Sequence, residues 1–104
     1  MIQVLYFEGC PNHDATVALA RNVLSELGIP EEVEEVEVHD DEDAQRLRFP
    51  GSPTVRVNGV DIEPDMPSRT HFALACRTYA ASGVPSRELL IAALECVSRK
   101  HHKP

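Results

Sequence analysis

The chemistry this sequence offers centres on three cysteines, Cys10, Cys76 and Cys96, and on one histidine, His13, three positions after the first of them. A deprotonated cysteine is both a nucleophile and a soft metal ligand. Cys10 stands in Gly9-Cys10-Pro11-Asn12-His13, directly after an apolar run. That pattern predicts a thiol just before or at the start of a helix, where unpaired backbone N–H groups and the helix dipole favour the thiolate. His13 would lie in the first turn and add positive charge or relay a proton. Asp14 works in the opposite direction, because a nearby negative charge disfavours the thiolate. Blander roles compete: Cys10 as a small apolar residue closing a corner, His13 as a solvated or capping residue, Asn12 as a turn residue.

Cys76 lies in Ala73-Leu74-Ala75-Cys76-Arg77-Thr78-Tyr79. It suits three roles: resolving a sulfenic acid on Cys10, completing a soft-metal site with it, or filling space as a small hydrophobe. Arg77 and Tyr79 offer contacts to an anion, although solvation of a helix face explains Arg77 equally well. Cys96 shares a helical spacing with apolar positions and is expected to pack. His101 and His102 belong to a basic tail. Neither a paired Cys-x2-Cys nor a second Cys/His pair at finger spacing occurs, so a conventional zinc site is not expected. Without a Gly-rich phosphate loop or a nucleophile-elbow serine, no cofactor is expected either.

The elements that must position these residues are legible from pattern. Residues 2–7 are short, rich in β-formers and stopped by Gly9, which predicts a strand. Pro11 suits the first helical position. Val17, Ala20, Val23, Leu24 and Leu27 then recur at helical spacing up to Gly28 and Pro30. Glu32 to Val38 alternates valine with glutamate and predicts a second strand. Asp40-Asp41-Glu42-Asp43 puts negative charge at the start of a short helix reaching about Phe49. Pro50-Gly51-Ser52-Pro53 leads into strand Thr54-Val55-Arg56-Val57, and Asn58-Gly59 turns the chain into a partner strand at Val60 to Ile62. Residues 63–70 form a loop, 71–79 fit helix or strand, and Gly83-Val84-Pro85 breaks the chain. Ser86 then caps a last helix through Glu88, Leu90, Ala93, Leu94 and Val97. The expected order is βαβαββα, with a parallel right-handed crossover between the first two strands and an insertion before the last helix.

The chain has 104 residues, enough for one domain, with 100–104 expected to be a disordered tail. The net charge is −7 and no basic block rises above it, which disfavours nucleic acid and anionic membrane as partners. The apolar run after Met1 lacks a charged leader and is too short to span a bilayer, so a cytoplasmic location is expected. Sparse, odd-numbered cysteines argue against a secreted disulfide scaffold.

Two local features resemble the thioredoxin and glutaredoxin superfamily. The first is strand, then Gly9-Cys10-Pro11-Asn12-His13, then helix, which is similar to a Cys-Pro-x-Cys site with His13 in the second cysteine's place. The second is Gly51-Ser52-Pro53-Thr54-Val55 followed by Val57-Asn58-Gly59. It resembles the loop whose proline is cis and packs against the active-site cysteine. Together they cover residues 1–62. The stretch Leu5-Tyr6-Phe7-Glu8-Gly9-Cys10-Pro11-Asn12 is similar to a small bacterial branch with a Phe-x-Gly-Cys-Pro-Asn motif. Relatives in that branch are linked to selenoproteins, with selenocysteine at the position of Cys10, or to organomercurial lyases. The resemblance implies an α/β thioredoxin-like fold, a mixed sheet flanked by helices. It also implies a substrate surface made by Pro11, Ser52, Pro53 and Thr54, with the backbone before Pro53 free to pair with an extended substrate. Lack of the second cysteine sets the chain apart from dithiol thioredoxins.

The leading expectation is a thiol oxidoreductase in which Cys10 attacks a disulfide, peroxide or related electrophile. The product would be resolved by Cys76 or by an external thiol reductant. The alternatives are a soft-metal or organomercurial thiol-binding protein, and a redox-inert interaction domain on the same scaffold.

Overall fold

The computed structural model of the protein describes residues 2–63 and 83–101, the side chains of 96–101 excepted. In chain order the elements are β1 (Ile2–Tyr6), α1 (His13–Glu26), β2 (Val33–Glu37), α2 (Asp41–Leu47), β3 (Thr54–Val57), β4 (Val60–Asp61) and α3 (Arg87–His101). Among the described residues the strands form one mixed sheet, in the order β2-β1-β3-β4. β1 runs parallel to β2, with Val4 opposite Glu35, and antiparallel to β3, with Leu5 opposite Thr54. Asn58 and Gly59 both have positive φ, 51° and 85°, as a tight two-residue hairpin between β3 and β4 requires.

Strand alternation divides the core in two. Ile2 and Val4 of β1, with Val55 and Val57 of β3, face Val17, Ala20, Val23 and Leu24 of α1 and Leu90 and Leu94 of α3. On the other face Leu5 packs with Val38, Ala44 of α2 and Phe49. Each fully buried Val, Leu, Ile or Phe side chain contributes about 1.5–3 kcal/mol, so both faces are needed to hold a chain of this size.

The first helix starts later than its sequence suggests. Its N-cap is Asn12, and the first helical residue is His13, so Pro11 lies in the preceding turn and not at the first helical position. The cause is the hydrogen bonding. The His13 N–H reaches back only as far as the Cys10 carbonyl, at 3.4 Å, whereas the Thr16 N–H closes the first full helical ring on Asn12 O at 3.1 Å. The Thr16 hydroxyl donates to the same carbonyl at 2.7 Å. At the other end, Gly28 (φ 68°) lets the Ile29 N–H return to Leu24 O and its own N–H to Ser25 O. That is the paired closure of a Schellman end.

Helix α2 is capped by Asp40, whose carboxylate accepts from the Asp43 N–H at 2.8 Å. It ends on Arg48 in the left-handed region, φ 54°, with the Phe49 N–H donating to Ala44 O. Ser86 Oγ accepts from the Leu89 N–H at 3.1 Å at the start of α3. The helix continues to His101. Arg87 pairs with Glu26, tying the start of α3 to the end of α1. No helix among the described residues is long and apolar enough to cross a membrane. Residues 64–82, where the sequence predicts most of a loop at 63–70, helix or strand at 71–79 and an insertion, lie outside the described residues.

Candidate functional site

Chain direction decides what meets at the site. β1 ends at Tyr6, and its register with β3 puts the start of β3 at the same end of the sheet. Residues 7–12 leave β1 there and return into α1. Cys10 sits in this loop, partly buried, with its sulfur unbridged. The Cys10 N–H donates to Phe7 O at 3.2 Å, and its carbonyl accepts from the His13 N–H. Two successive turns therefore hold the cysteine backbone two residues ahead of the α1 N-cap.

His13 points to the sheet. Its ring stacks on Tyr6 of β1, with centroids 3.6 Å apart and planes 7° from parallel. Nε2 lies 2.7 Å from Glu35 Oε1 on β2, and Nδ1 lies 3.8 Å from Asp14 Oδ1. Glu35 has a second cationic neighbour, Arg21, at 3.7 Å. The expected support of Cys10 by His13 is thus not a direct contact: among the described residues the polar partners of the ring are carboxylates. Tyr6 is held above the ordinary tyrosine value, first by burial and then by the negative charges of Glu37, Glu35 and Glu8.

The Ser52–Pro53 peptide is cis. Ser52, Pro53 and Thr54 are all buried. The Thr54 hydroxyl turns inward and donates to Gly51 O at 2.5 Å. Ser52 Oγ is fully buried and has no hydrogen-bond partner among the described residues. Pro11 is exposed beside Cys10. Cys76, Arg77 and Tyr79 lie outside the described residues. So does the side chain of Cys96, a residue of α3. Among the described residues no group of three or more His, Cys, Asp or Glu side chains is placed to hold a metal ion.

Three neighbours of Asn12 and His13 carry no role in the sequence reading. Tyr6 and Glu35 are the first two. A signal for them exists: His13 stands four residues before Val17 and seven before Ala20, on the stripe of α1 that faces the sheet. The third is Gly83, φ 77°, which lies so close to the Asn12 side chain that a Cβ there would collide with Asn12 Nδ2.

Compared with protein-family models, curated proteins and solved structures, the chain matches none significantly.

Proposed function

We propose that the chain is a thioredoxin-like thiol oxidoreductase with Cys10 as its single nucleophile. The place of Cys10 carries the reading: a partly accessible thiol in the loop at the carboxyl end of β1, a strand paired on both sides. Open α/β sheets take their ligands outside the carboxyl ends of such strands. The parallel β1–α1–β2 unit beside an antiparallel β3–β4 hairpin supports the thioredoxin-like assignment.

In the reaction the Cys10 thiolate attacks one sulfur of a substrate disulfide. A bond forms between Cys10 Sγ and that sulfur, the substrate S–S bond breaks, and the other half leaves as a thiolate that takes up a proton. An external thiol then attacks the substrate sulfur of the mixed disulfide and releases Cys10. Alternatively, Cys76 attacks Cys10 Sγ, releases the substrate as a thiol and leaves a Cys10–Cys76 disulfide for an external thiol to reduce. In both routes the substrate disulfide is reduced and the external thiol is oxidised.

Peptide-resolved mass spectrometry after brief exposure to iodoacetamide at neutral pH tests the assignment. Cys10 is expected to be modified well before Cys96. A neutral dipyridyl disulfide is expected to leave its mixed disulfide on Cys10, and Cys10→Ser to lose that product. Equal, slow modification of Cys10 and Cys96 in the folded protein would overturn it.

A further inference from the structure

We infer that the outer edge of β2 is a docking site for a basic, extended segment of a partner protein, which adds to the sheet as a further strand. The site is separate from the thiol chemistry and does not depend on Cys10. β2 is the outer strand of the sheet, and among the described residues no strand lies beyond it. Its register with β1 runs unbroken from Val33 to Glu37, without a bulge or a proline. The Val38 N–H donates to Tyr6 O at 2.7 Å, so Val38 turns its N–H toward β1. Inward and outward backbone groups alternate along a strand. Val36 and Glu34 therefore turn inward as well, and Val33, Glu35 and Glu37 present N–H and C=O groups outward. A regular row of this kind is what an added strand pairs with.

The side chains along that edge specify the occupant. Glutamates on an edge strand discourage pairing with copies of the same chain. A second β2 laid antiparallel along the full strand would set Glu35 opposite Glu35, and like charges directly opposite are destabilising. The same charges attract a basic strand, so one feature rejects copies and selects a partner.

The two faces of β2 differ. On the face covered by α1, Glu35 already engages His13 at 2.7 Å and Arg21 at 3.7 Å, and Glu37 lies 3.3 Å from His39. On the opposite face Glu34 meets only the Gln3 amide, at 2.6 Å, among the described residues. Exposed Glu32, just before the strand, pairs with no cation among them. Val33 packs toward α1 beside an open groove of about 430 Å³ that Leu24 and Ile29 also line. A strand with lysine or arginine on one face and small apolar residues on the other suits both sides. Its cations meet Glu34 and Glu32, and its apolar side chains cover Val33 and the mouth of the groove. The net charge of −7 draws such a segment in from a distance.

The test is NMR of the nitrogen-15-labelled full chain, titrated with the end-capped peptide Lys-Val-Lys-Val-Lys-Val. The amides of Val33, Glu35 and Glu37 are expected to shift saturably and to exchange more slowly with solvent. The Val36 amide, already bonded inward, is expected to change least. The peptide Glu-Val-Glu-Val-Glu-Val is expected not to bind. The basic peptide methylated at every backbone nitrogen keeps its charge but cannot pair as a strand, and is expected to lose the effect. Glu32→Gln with Glu34→Gln is expected to weaken the basic peptide about three- to tenfold. Glu88→Gln with Glu95→Gln removes the same charge from α3, which packs against α1 and β3, and is expected to keep the parental affinity. Amide dispersion checks that each variant is folded, and the peptide comparisons on the parent need no variant. Equal binding of the methylated or the acidic peptide would overturn the proposal. So would shifts spread over the surface without those three amides, or equal weakening in the α3 variant. Self-association of the parent through the same amides would assign the edge to a second copy, and would overturn it too.

Discussion

Tyr6 and His13 lie ring on ring, with Glu37 of β2 opposite Tyr6 in the register and Glu35 bonded to His13. Burial of Tyr6 disfavours the phenolate, and Glu37, Glu35 and Glu8 disfavour it further, so its ionisation lies above the ordinary 10.0. A raised value means that the folded state favours the neutral phenol. The stability this contributes is fully present below the unfolded tyrosine value and is lost as pH rises through the folded one. Spectrophotometric titration of the folded protein is expected to show one tyrosine ionising late, and Glu37→Gln to bring it part of the way back. Full return to the ordinary value in that variant would show that burial contributes nothing. At this scale the sequence exposed Cys10 and His13 but not their neighbours. Gly9-Cys10-Pro11 marks a strand-to-helix corner by local rules alone. The pairing of His13 with Glu35 depends on a strand register and a helix face more than twenty residues apart, which no local pattern encodes. The burial of Ser52, Pro53 and Thr54 likewise depends on packing that no local pattern encodes.

Helix α2 shows how charge organises an element. Asp40 accepts from the Asp43 N–H, and the Asp43 carboxylate accepts from the His39 N–H at 3.1 Å and from Arg46 at 3.0 Å. Asp40→Ala is expected to lower stability by about 1 kcal/mol, read from urea unfolding. An unchanged midpoint would show that the remaining acids of the first turn substitute for the cap. The Arg46 hydrogen bond and the His39 N–H hold the Asp43 carboxyl below its ordinary value. Its stabilising contribution is therefore present above the unfolded aspartate range and fades as pH falls through the lower, folded value. Unfolding midpoints followed into acid are expected to drop less steeply in Asp43→Asn than in the parent. Element order was readable because each segment has its own periodicity and its own stop. Boundaries were less so. Pro11 is acceptable both in a turn and at a helix start, and α2 ends on Arg48 with no glycine to announce it.

Across the whole molecule, the approach of Gly83 to Asn12 joins the chain entering α3 to the turn that carries Cys10. Two costs meet at this glycine and can be separated. Its φ of 77° is unfavourable for any residue with a Cβ, by about 1–2 kcal/mol. An added Cβ would also collide with Asn12 Nδ2 and stand 3.0 Å from its Cγ, closer than packed atoms tolerate. Relief of this contact falls to the Asn12 side chain, which must turn away from the added methyl group. As the N-cap of α1 its backbone is held by Thr16, while its side chain makes no capping bond that turning would break. Gly83→Ala is expected to destabilise the protein by about 2–5 kcal/mol, the backbone cost plus an overpacking cost of about 1–3 kcal/mol. Asn12→Ala alone should cost little, since it removes no capping hydrogen bond. In the double variant the collision disappears and only the backbone cost remains, so the two changes should be strongly non-additive in urea unfolding. The same cycle read by Cys10 alkylation connects the contact to function. Displacement of Asn12 by the methyl group that Gly83→Ala introduces should alter the Cys10 rate, and removal of the Asn12 amide should restore it. Additive stabilities, with a Cys10 rate indifferent to Gly83→Ala, would mean that the two segments are neighbours without being coupled.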